Sequence, residues 1–405
     1  MLTLDEPKET RHNKSVNSTS EHARQLLRLR LTDGVGPIIA RRLLDRFGSV
    51  EDILRASQRD LATVERVGAS TAARIFKGLR DAEAVVEQTL ERCDALDVRL
   101  IGFGEPSYPH LLAAIPDAPL VLFVQGELPV RADGGDAYAV AIVGSRSATA
   151  YGIEQAERFS AALAQAGLTI VSGGARGIDT AAHRAALRAQ GRTIVVLGAG
   201  HAQPYPPENK ELFAQALAAG SCLISEQPPD VAPSPELFPV RNRIISGLSL
   251  GVLIIEAPSD SGALITARLA VDEHGRDAMA LPGRVDSKAS DGCHQLIRKG
   301  EAALVMSPAD VIEELEGAAR HLYQGTLAGR AGLANVDAAD GTVRPVALAG
   351  LTPTQRQLVE ALASPRSVDE LVRLTGLEAG QIQSDATVLE LRRVIRRAGP
   401  RLERC

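Results

Sequence analysis

Two arginines flank an asparagine in the segment FPVRNRIISGLS, residues 238–249, just before an apolar stretch with helical spacing. The planar guanidinium groups of Arg241 and Arg243 each present several donors, a geometry that suits the oxygens of a phosphate. The whole chain carries 45 Lys and Arg against 50 Asp and Glu, a formal net charge of -5. Because exposed charges more than about 8 Å apart are largely screened at physiological salt, local clusters of charge decide which partners bind. This segment, with Asn242 between its arginines, therefore predicts an anion-binding site.

Small and polar residues follow four other apolar runs, each at a point where a predicted strand ends. The loops are IVGSR (142–146), SGGARGID (172–179), YPPENKELF (205–213) and SGALITAR (261–268). Glycines such as Gly173, Gly174 and Gly177 let backbone N–H groups and a helix N-terminus approach an anion closely. Each loop alone has a structural explanation, since glycine after a strand commonly serves a tight turn and arginine near a helix start commonly pairs with an acid. The five loops together predict a pocket of amides, hydroxyls and guanidiniums. The last loop contributes the candidates Ser261, Gly262 and Thr266.

Enzyme signatures are absent from the sequence. It contains no P-loop, no complete dinucleotide-binding glycine fingerprint, no H-E-x-x-H and no G-x-S-x-G. Ser261 and His183 could serve as nucleophile and base, but neither has a recognisable partner. Acids after strands are routine helix caps and arginine partners, which is the favoured explanation for Asp179, Glu226, Glu256 and Asp260. The four cysteines are widely spaced without a C-x-x-C pair, a pattern that predicts neither zinc nor disulfides. We therefore expect no catalytic activity, no metal and no cofactor.

The five loops need a scaffold that brings them to one edge, and the apolar pattern predicts one. From about residue 139, short apolar runs alternate with helical stretches, as in an α/β fold whose parallel sheet is covered on both faces. The runs are AVAIV, LTIVSGG, TIVVLGAG, CLISE, VLIIEA, AMALPG and AALVM. The expected helices lie near 150–166, 178–190, 208–219, 243–249, 262–275 and 291–299. Ligands bind such sheets at the carboxyl ends of the strands, where all five loops fall.

The sequence predicts five regions that differ in composition. They are a disordered tail (1–22), a helical module (23–100), the α/β domain (101–324), a linker (325–350) and helices joined by a turn at Gly376 (351–405). The last region is compatible with helix-turn-helix geometry. No apolar run approaches the roughly 18 to 20 residues of a membrane helix, and the first residues do not form a signal peptide. We therefore expect a cytoplasmic protein that makes no membrane contact.

The motifs IVGSR, SGGARGID, YPPEN, SEQPP, FPVRNRIISGLS, SGALITARLA and GCHQLIRKGE occur in this order over roughly residues 100–310. This series resembles the DNA-processing protein A family. The resemblance implies an α/β fold with an extended Rossmann-like parallel sheet core. It also implies an N-terminal all-helical module, sterile-alpha-motif-like or helix-hairpin-helix-like, and a C-terminal winged-helix-like module. The implied function is to bind and protect incoming single-stranded DNA, to form a homodimer through the Rossmann-like domain, and to load the RecA recombinase in natural transformation.

The resemblance also implies which residues bind DNA. The family's pocket corresponds to Gly144, Ser145, Arg146, Ser172, Gly173, Gly174, Gly177, Arg241, Asn242 and Arg243. Lys210 corresponds to a lysine that contacts phosphate, and Phe213 to an aromatic residue that contacts a base. Aromatic residues are only 3% of the chain, which argues against stacking of many bases. We therefore expect amides at helix N-termini and guanidiniums to hold the phosphates of a flexible single strand.

Two functions other than single-strand binding stay open at this point. One is nucleotide cleavage, as in a related Rossmann-like group of phosphoribohydrolases, and the other is binding of a small nucleotide. In the N-terminal segment LTDGVGPIIARRLLDRFGS, which resembles a helix-hairpin-helix, Gly34 and Gly36 could offer amides to a phosphate or could serve only to cap the domain. In the C-terminal module the expected wing is reduced to RRAGPRLERC, residues 396–405, which leaves open whether that module contacts DNA or protein.

Overall fold

The computed structural model of the chain describes residues 19–128, 138–315, 353–362, 364–377, 379–391, 395–398 and 401–404. The predicted linker, residues 325–350, lies outside the described residues, as does the predicted tail up to residue 18.

Six helices form the N-terminal module. They are α1 (Glu21–Arg30), α2 (Pro37–Phe47), α3 (Val50–Arg55), α4 (Gln58–Leu61), α5 (Ala69–Asp81) and α6 (Glu83–Ala95). Leucine and isoleucine side chains at helical spacing, among them Leu26, Leu43 and Ile75, bury one face of each helix in a shared core. The serine before α1, α3 and α4 caps the helix, because its hydroxyl accepts a hydrogen bond from a backbone amide.

The N-terminal module contains the same turn twice. Gly34 has a positive φ of 86°, and two residues later Gly36 begins α2 without a side-chain cap. In the second turn Arg66 has a positive φ of 65°, and two residues later Gly68 begins α5, again without a side-chain cap. The segments DGVG, residues 33–36, and ERVG, residues 65–68, therefore form the same turn before a helix.

A mixed sheet of nine strands forms the centre of the described part of the chain. The strands are β1 (Val98–Gly102), β2 (Val121–Gly126), β3 (Ala139–Val143), β4 (Thr169–Ser172), β5 (Thr193–Val196), β6 (Cys222–Ser225), β7 (Gly251–Ile254), β8 (Asp277–Ala280) and β9 (Ala303–Leu304). Their spatial order is β1-β2-β6-β5-β4-β3-β7-β8-β9. In this spatial order, every pair of neighbouring strands from β6 through β3 to β9 is parallel, which confirms the predicted parallel sheet.

The antiparallel strands β1 and β2 were not predicted. They belong to two cores at once, since Val121 and Phe123 pack against the helical module while Leu122 and Val124 pack against the α/β core. This alternation is the period-two pattern of a strand with two buried faces. The predicted boundary between residues 100 and 101 falls inside β1.

Helices cover both faces of the sheet. They are α7 (His110–Ala113), α8 (Ala150–Gln165), α9 (Ile178–Arg188), α10 (Lys210–Ala218), α11 (Leu237–Gly247), α12 (Ala263–Arg268) and α13 (Asp291–Lys299), with a π-helical turn at Leu269–Glu273. Within β3, Val140 and Ile142 face one core while Ala141 and Val143 face the other. The chain order reverses at β3, which pairs with β4 on one side and β7 on the other. A crevice at such a switch point is where α/β sheets bind ligands.

Helix α11 begins earlier than expected. The sequence predicted a helix near 243–249 with the arginines just before it, whereas the helix runs from Leu237 to Gly247. Pro239 does not delay the start, because a first-turn residue needs no backbone N–H for the helix. Arg241 and Arg243 are therefore both helical, and residues two apart on a helix point about 200° apart.

The C-terminal module has three helices and a small sheet in its described residues. The elements are α14 (Pro353–Ala361), β10 (Arg366–Ser367), α15 (Val368–Thr375), α16 (Ala379–Leu391), β11 (Ile395–Ala398) and β12 (Arg401–Arg404). Gly376 ends α15 in the left-handed conformation, as predicted. The segment described as a reduced wing forms a paired antiparallel hairpin, β11 with β12, so the wing is present. Leu402 of the hairpin packs into the same core as Leu371 and Ile382.

Across the described ranges, we find no helix with the length and apolar character that spanning a bilayer requires.

Candidate nucleic-acid interface

A pocket of about 630 Å³ opens at the carboxyl ends of β3, β4 and β7. The loops after these strands and the first turns of α11 and α12 form its walls. A backbone hydrogen bond of 2.7 Å from the Ser145 amide to the Glu256 carbonyl ties the loop after β3 to the loop after β7. The predicted residues that line the pocket are Gly144, Ser145, Arg146, Arg241, Asn242, Ser261, Gly262 and Thr266.

Two aromatic rings lie between two arginines beside the pocket, and we call Arg146, Arg176, Tyr205 and Phe238 the pocket rim. The guanidinium carbon of Arg146 lies 5.1 Å from the centre of the Phe238 ring. The Phe238 and Tyr205 ring centres are 5.5 Å apart, and the Arg176 guanidinium lies 5.9 Å from the Tyr205 ring. Arg146 is exposed, and both rings are half-buried. The rim therefore offers cations and aromatic faces to one ligand.

The loop that carries Arg146 is held by Glu256, an acid that follows the neighbouring strand β7. The Glu256 carboxylate accepts hydrogen bonds from the Thr149 amide at 2.7 Å and from its hydroxyl at 2.6 Å, at the start of α8. Gly152 makes room for this carboxylate, since a Cβ there would come within 2.5 Å of it. Glu256 thus fixes the backbone of the loop that contains Arg146. This structural role agrees with the favoured explanation of Glu256 as an acid that caps a helix.

Arg241 lies in the pocket wall, where its Nη1 and Nε groups donate hydrogen bonds to the protein itself. It is 6% exposed and donates from Nη1 to the Gly173 carbonyl at 2.7 Å and also to the Val196 carbonyl. A Cβ on Gly173 would come within 2.5 Å of the guanidinium, so this position requires glycine for the contact. Burial lowers the pKa of Arg241 to about 10, and the nearby Asp179 carboxylate opposes that shift. The guanidinium therefore fastens α11 to the sheet.

Arg243 points to the other side of α11 and into a buried ionic cluster. It is 5% exposed, and its Nη2 donates to the Glu226 carboxylate at 2.6 Å while Nε lies 3.3 Å from Asp117. Glu226 and Asp117 thus hold two of its nitrogens, and Nη1 is buried without a hydrogen-bond partner among the described residues. Contact of Arg243 with DNA stays a prediction. We refer to Arg241 and Arg243 together as the buried arginine pair.

The glycine-rich loop after β4 holds a carboxylate of its own. Oδ2 of Asp179 accepts hydrogen bonds from the Gly173 amide at 3.1 Å and the Ala175 amide at 3.2 Å. Burial raises the pKa of Asp179, and the Arg241 guanidinium opposes that shift. Two of the loop amides that were expected to receive a phosphate are therefore occupied by Asp179, in the first turn of α9.

The remaining glycines of these loops serve packing. A Cβ on Gly177 would come within 2.3 Å of the Ser145 carbonyl, and a Cβ on Gly144 within 2.6 Å of Ile178. Gly174 has a positive φ of 65° and sits against the Phe213 ring. The loops after β3 and β4 approach each other closely, and this packing explains why glycine is needed at these positions whether or not a ligand binds.

Three other predicted residues lie away from the pocket. Phe213 is 2% exposed in a core with Leu197 and Leu223, and its contact with a base stays a prediction. Ser172 is fully buried and donates to the Ile142 carbonyl at 2.6 Å. Lys210 is exposed at the start of α10, but it does not line the pocket.

The predicted site omitted three of the four rim residues. Arg176, Tyr205 and Phe238 all lie within loops that the sequence singled out, yet they were not assigned a role. A compositional signal was available, because the chain has only 5 Tyr and 7 Phe, and Tyr205 and Phe238 both stand in segments that follow predicted strands.

Comparisons with known proteins cover all three modules. A family model described as DNA recombination-mediator protein A matches residues 99–316. A SAM-like helix-hairpin-helix tandem matches residues 25–81, and a DprA winged helix domain matches residues 343–399.

Individual relatives agree with the family models. Protein Smf of Synechocystis sp. is 36% identical over 373 residues, which is 88% of this chain and 92% of that protein. DNA processing protein DprA of Bacillus subtilis is 40% identical over 54% of this chain and 71% of that protein. The X-ray structure of DNA processing protein A from Streptococcus pneumoniae matches with a TM-score of 0.61 and 33% identity, covering 72% of this chain and 97% of that one.

Proposed function

This chain belongs to the DNA recombination-mediator protein A family, and we propose that it binds single-stranded DNA at the pocket described above. The observation that carries the proposal is the exposed Arg146 guanidinium beside the Phe238 ring at the pocket entrance. Single strands are bound by surfaces that combine cations for the phosphates with aromatic faces for the bases. The rim supplies both kinds of group within a few ångströms.

The shape of the site favours a single strand over a duplex. A base must leave its stack before it can meet an aromatic ring in a concave pocket, and this costs least where the strand is unpaired. Stacking on an aromatic face and contacts to phosphates carry little sequence information. We therefore expect binding that tolerates many sequences.

The proposal extends to the role of this binding in recombination. We infer that the protein protects incoming single strands, forms a homodimer through its α/β domain and loads RecA in natural transformation. The family description as a recombination mediator supports this inference. Light scattering of the purified protein tests the homodimer, and RecA filament assembly on coated single strands tests the loading.

Nucleotide cleavage is the competing function, and the site supports it less well. Asp179 is the acid among the residues that line the pocket in the described structure, and its Oδ2 accepts two backbone amides. A carboxylate held in this way caps α9, whereas a hydrolytic base needs to face a bound water.

Fluorescence anisotropy with a labelled single strand, titrated at fixed salt, tests the proposal. We expect Arg146→Glu to weaken binding at least tenfold, because it reverses the charge at the entrance. Arg158→Glu is the matched control, since Arg158 is exposed on the far part of α8 and should leave binding unchanged. A duplex of equal length should compete poorly.

Two outcomes contradict the proposal. Equal loss of affinity in both variants would mean that net charge and not this site governs binding. Release of a free base from nucleoside monophosphates, followed by chromatography, would favour the hydrolase instead.

A further inference from the structure

We infer that Ser246 and His274 are positioning residues of the candidate site, which together fix how α11 and α12 lie against each other. Ser246 stands in the last turn of α11, and His274 directly follows the π-helical turn that continues α12. The inference rests on the proposed single-strand binding, because it names two groups that hold the site from behind and contact no ligand themselves.

Both helices contribute walls to the pocket. Asn242 and Ile245 of α11 line it, as do Ile265 and Thr266 of α12. Apolar side chains from the two helices also belong to one buried cluster, which includes Ile245 and Ala267. Apolar packing is non-directional, so it does not by itself determine how far one helix slides along the other. Directional polar contacts are needed to fix that register.

A buried hydrogen bond supplies such a contact. Oγ of Ser246 lies 2.9 Å from Nδ1 of His274, and both side chains are fully buried. Asn242 and Ser246 are four residues apart on α11 and therefore share a face of the helix. A shift of Ser246 moves the pocket-lining Asn242 with it, so the hydrogen bond on the inner side controls the position of the wall.

The π-helical turn places His274 for this contact. Residues Leu269–Glu273 form the turn, and the His274 amide donates to the Leu269 carbonyl at 3.1 Å. A π-helical turn holds one residue more than an α-helical turn, so it rotates the residues that follow by about 100° around the axis. Such turns are rare and are frequent at functional sites. The irregularity in the helix therefore directs the imidazole toward α11.

The ionic cluster behind α11 faces the imidazole from its other edge. Nε2 of His274 lies 3.8 Å from Oδ1 of Asp117, which is too long for a hydrogen bond. Oδ2 of the same carboxylate lies 3.3 Å from Nε of Arg243. Asp117 thus acts on His274 through its charge, whereas the contact with Ser246 is directional. Loss of the Ser246 contact is therefore the change that frees the register of α11.

Fluorescence anisotropy with a labelled single strand tests this role. We expect Ser246→Ala and His274→Ala each to weaken binding about three- to tenfold, in line with the net energy of one hydrogen bond. The double variant should lose no more than either single variant, because both substitutions remove the same contact. His274→Asn should restore most of the affinity, since its amide can take the position of Nδ1.

Ser160→Ala is the matched control. Ser160 is also fully buried, and its hydroxyl donates to the Ala182 carbonyl at 2.6 Å, which ties α8 to α9. The control therefore removes an equivalent buried hydrogen bond between two helices. It should lower the thermal midpoint about as much as Ser246→Ala and leave binding unchanged. Equal weakening of binding in both variants would mean a general loss of stability, and the positioning role would be wrong.

Hydrogen exchange of the free protein gives a readout that needs no DNA. His274→Ala should speed amide exchange in residues 237–247 and 263–273 by about threefold or more, because local opening follows the loss of a contact between these segments. Exchange in α8 should keep its wild-type rate. A uniform rise across the α/β domain would contradict a local role for His274.

The outcomes separate this inference from the proposed function. If the wild-type protein binds the strand and His274→Ala binds it equally well, single-strand binding stands and the positioning role is wrong. The positioning role is also wrong if the losses of the two single variants add in the double variant. If exchange changes as expected but the wild-type protein binds no strand, the helix register depends on His274 as inferred and the proposed function falls.

Discussion

Arg146 and Arg243 have the same guanidinium group and lie on loops or helices at the same edge of the sheet, yet their surroundings differ completely. Arg146 is exposed beside the Phe238 ring, whereas Arg243 is 5% exposed between Glu226 and Asp117. Arg146 thus keeps its charge available to a ligand, whereas the buried arginine pair uses its charge to hold α11. The difference teaches that an arginine-rich segment near a binding site can be structural, and that accessibility decides which guanidinium binds.

The geometry of α11 explains how the two roles arise in neighbouring residues. Arg241 and Arg243 lie on opposite faces of the helix, because two residues advance about 200° around its axis. Phe238 at the start of the same helix reaches the rim. One helix therefore contributes an aromatic face to the entrance, a guanidinium to the pocket wall and a buried ion pair behind it.

The largest effect that we expect from the contrast between exposed Arg146 and buried Arg243 is a loss of stability when Arg243 is removed. Arg243→Ala leaves Glu226 buried without its cation, and removal of one partner from a buried ion pair costs about 3–5 kcal/mol of unfolding free energy. Urea denaturation measures this. The control is Arg284→Ala, since Arg284 is paired with Asp286 at 2.9 Å but its side chain is 82% exposed, and the substitution should leave the unfolding free energy nearly unchanged. A stable Arg243→Ala protein that fails to bind DNA would contradict the assignment.

The second largest expected effect is a loss of unfolding free energy at acid pH, caused by two buried histidines. Burial lowers the pKa of His183 to about 3, with Arg241 adding to the shift, and lowers the pKa of His201 to about 4, although a hydrogen bond with the Leu223 carbonyl opposes it. The unfolded chain binds these protons near the ordinary value of 6.5. Stability is therefore complete above about pH 6.5 and falls as the pH drops toward the folded values, by roughly 3 kcal/mol for each of the two histidines between pH 7 and pH 4.

Thermal unfolding across that pH range measures the effect. His183→Gln should flatten the acid limb, whereas His110→Gln, at an exposed position, should leave it unchanged. DNA binding through arginines should stay constant between pH 5.5 and pH 8 while the protein is folded. A stability that is flat from pH 7 to pH 4 would show that these histidines are not held neutral.

The smallest predicted effect concerns the rim. Arg176 donates from Nε to the Glu208 carboxylate at 3.0 Å in an exposed pair. Glu208→Gln frees this guanidinium for a phosphate, and we expect single-strand binding to tighten about two- to fivefold at low salt, in line with the modest energy of exposed pairs. Glu157→Gln removes an equal charge from the exposed pair with Arg188. Similar tightening in both variants would indicate a change in net charge and no special role for Arg176.

The sequence and the structure agree on the architecture because local patterns determine it. Short apolar runs such as AVAIV alternate with amphipathic stretches, and the resulting parallel sheet with helices on both faces is present, together with the flanking helical and winged-helix modules. The strands β1 and β2 escaped prediction, because they are isolated from the alternating pattern and belong partly to the N-terminal core. The wing was underestimated, since its short hairpin gains its partner β10 from residues some 30 positions earlier.

The prediction that the strand-end loops converge on a pocket agrees with the structure, in which eight of the named residues line one, among them Ser145, Asn242 and Thr266. Their contact with DNA stays a prediction. Phe213 and Phe238 show the difficulty, because both are aromatic residues in strand-end segments. Only packing distinguishes them, since Phe213 fills a gap over Gly174 while Phe238 stands at the entrance.

By itself the sequence determined the alternation of strands and helices from β3 onward, the family and the edge of the sheet at which the loops gather, because hydrophobic period and turn residues act over a few neighbours. Only the tertiary structure decided which polar groups are free to bind. Arg241 donates to a carbonyl 68 residues away, and Arg243 meets Glu226 from another strand end. Those partners come together through folding, so the availability of a donor is a property of the packed molecule and not of the segment that carries it.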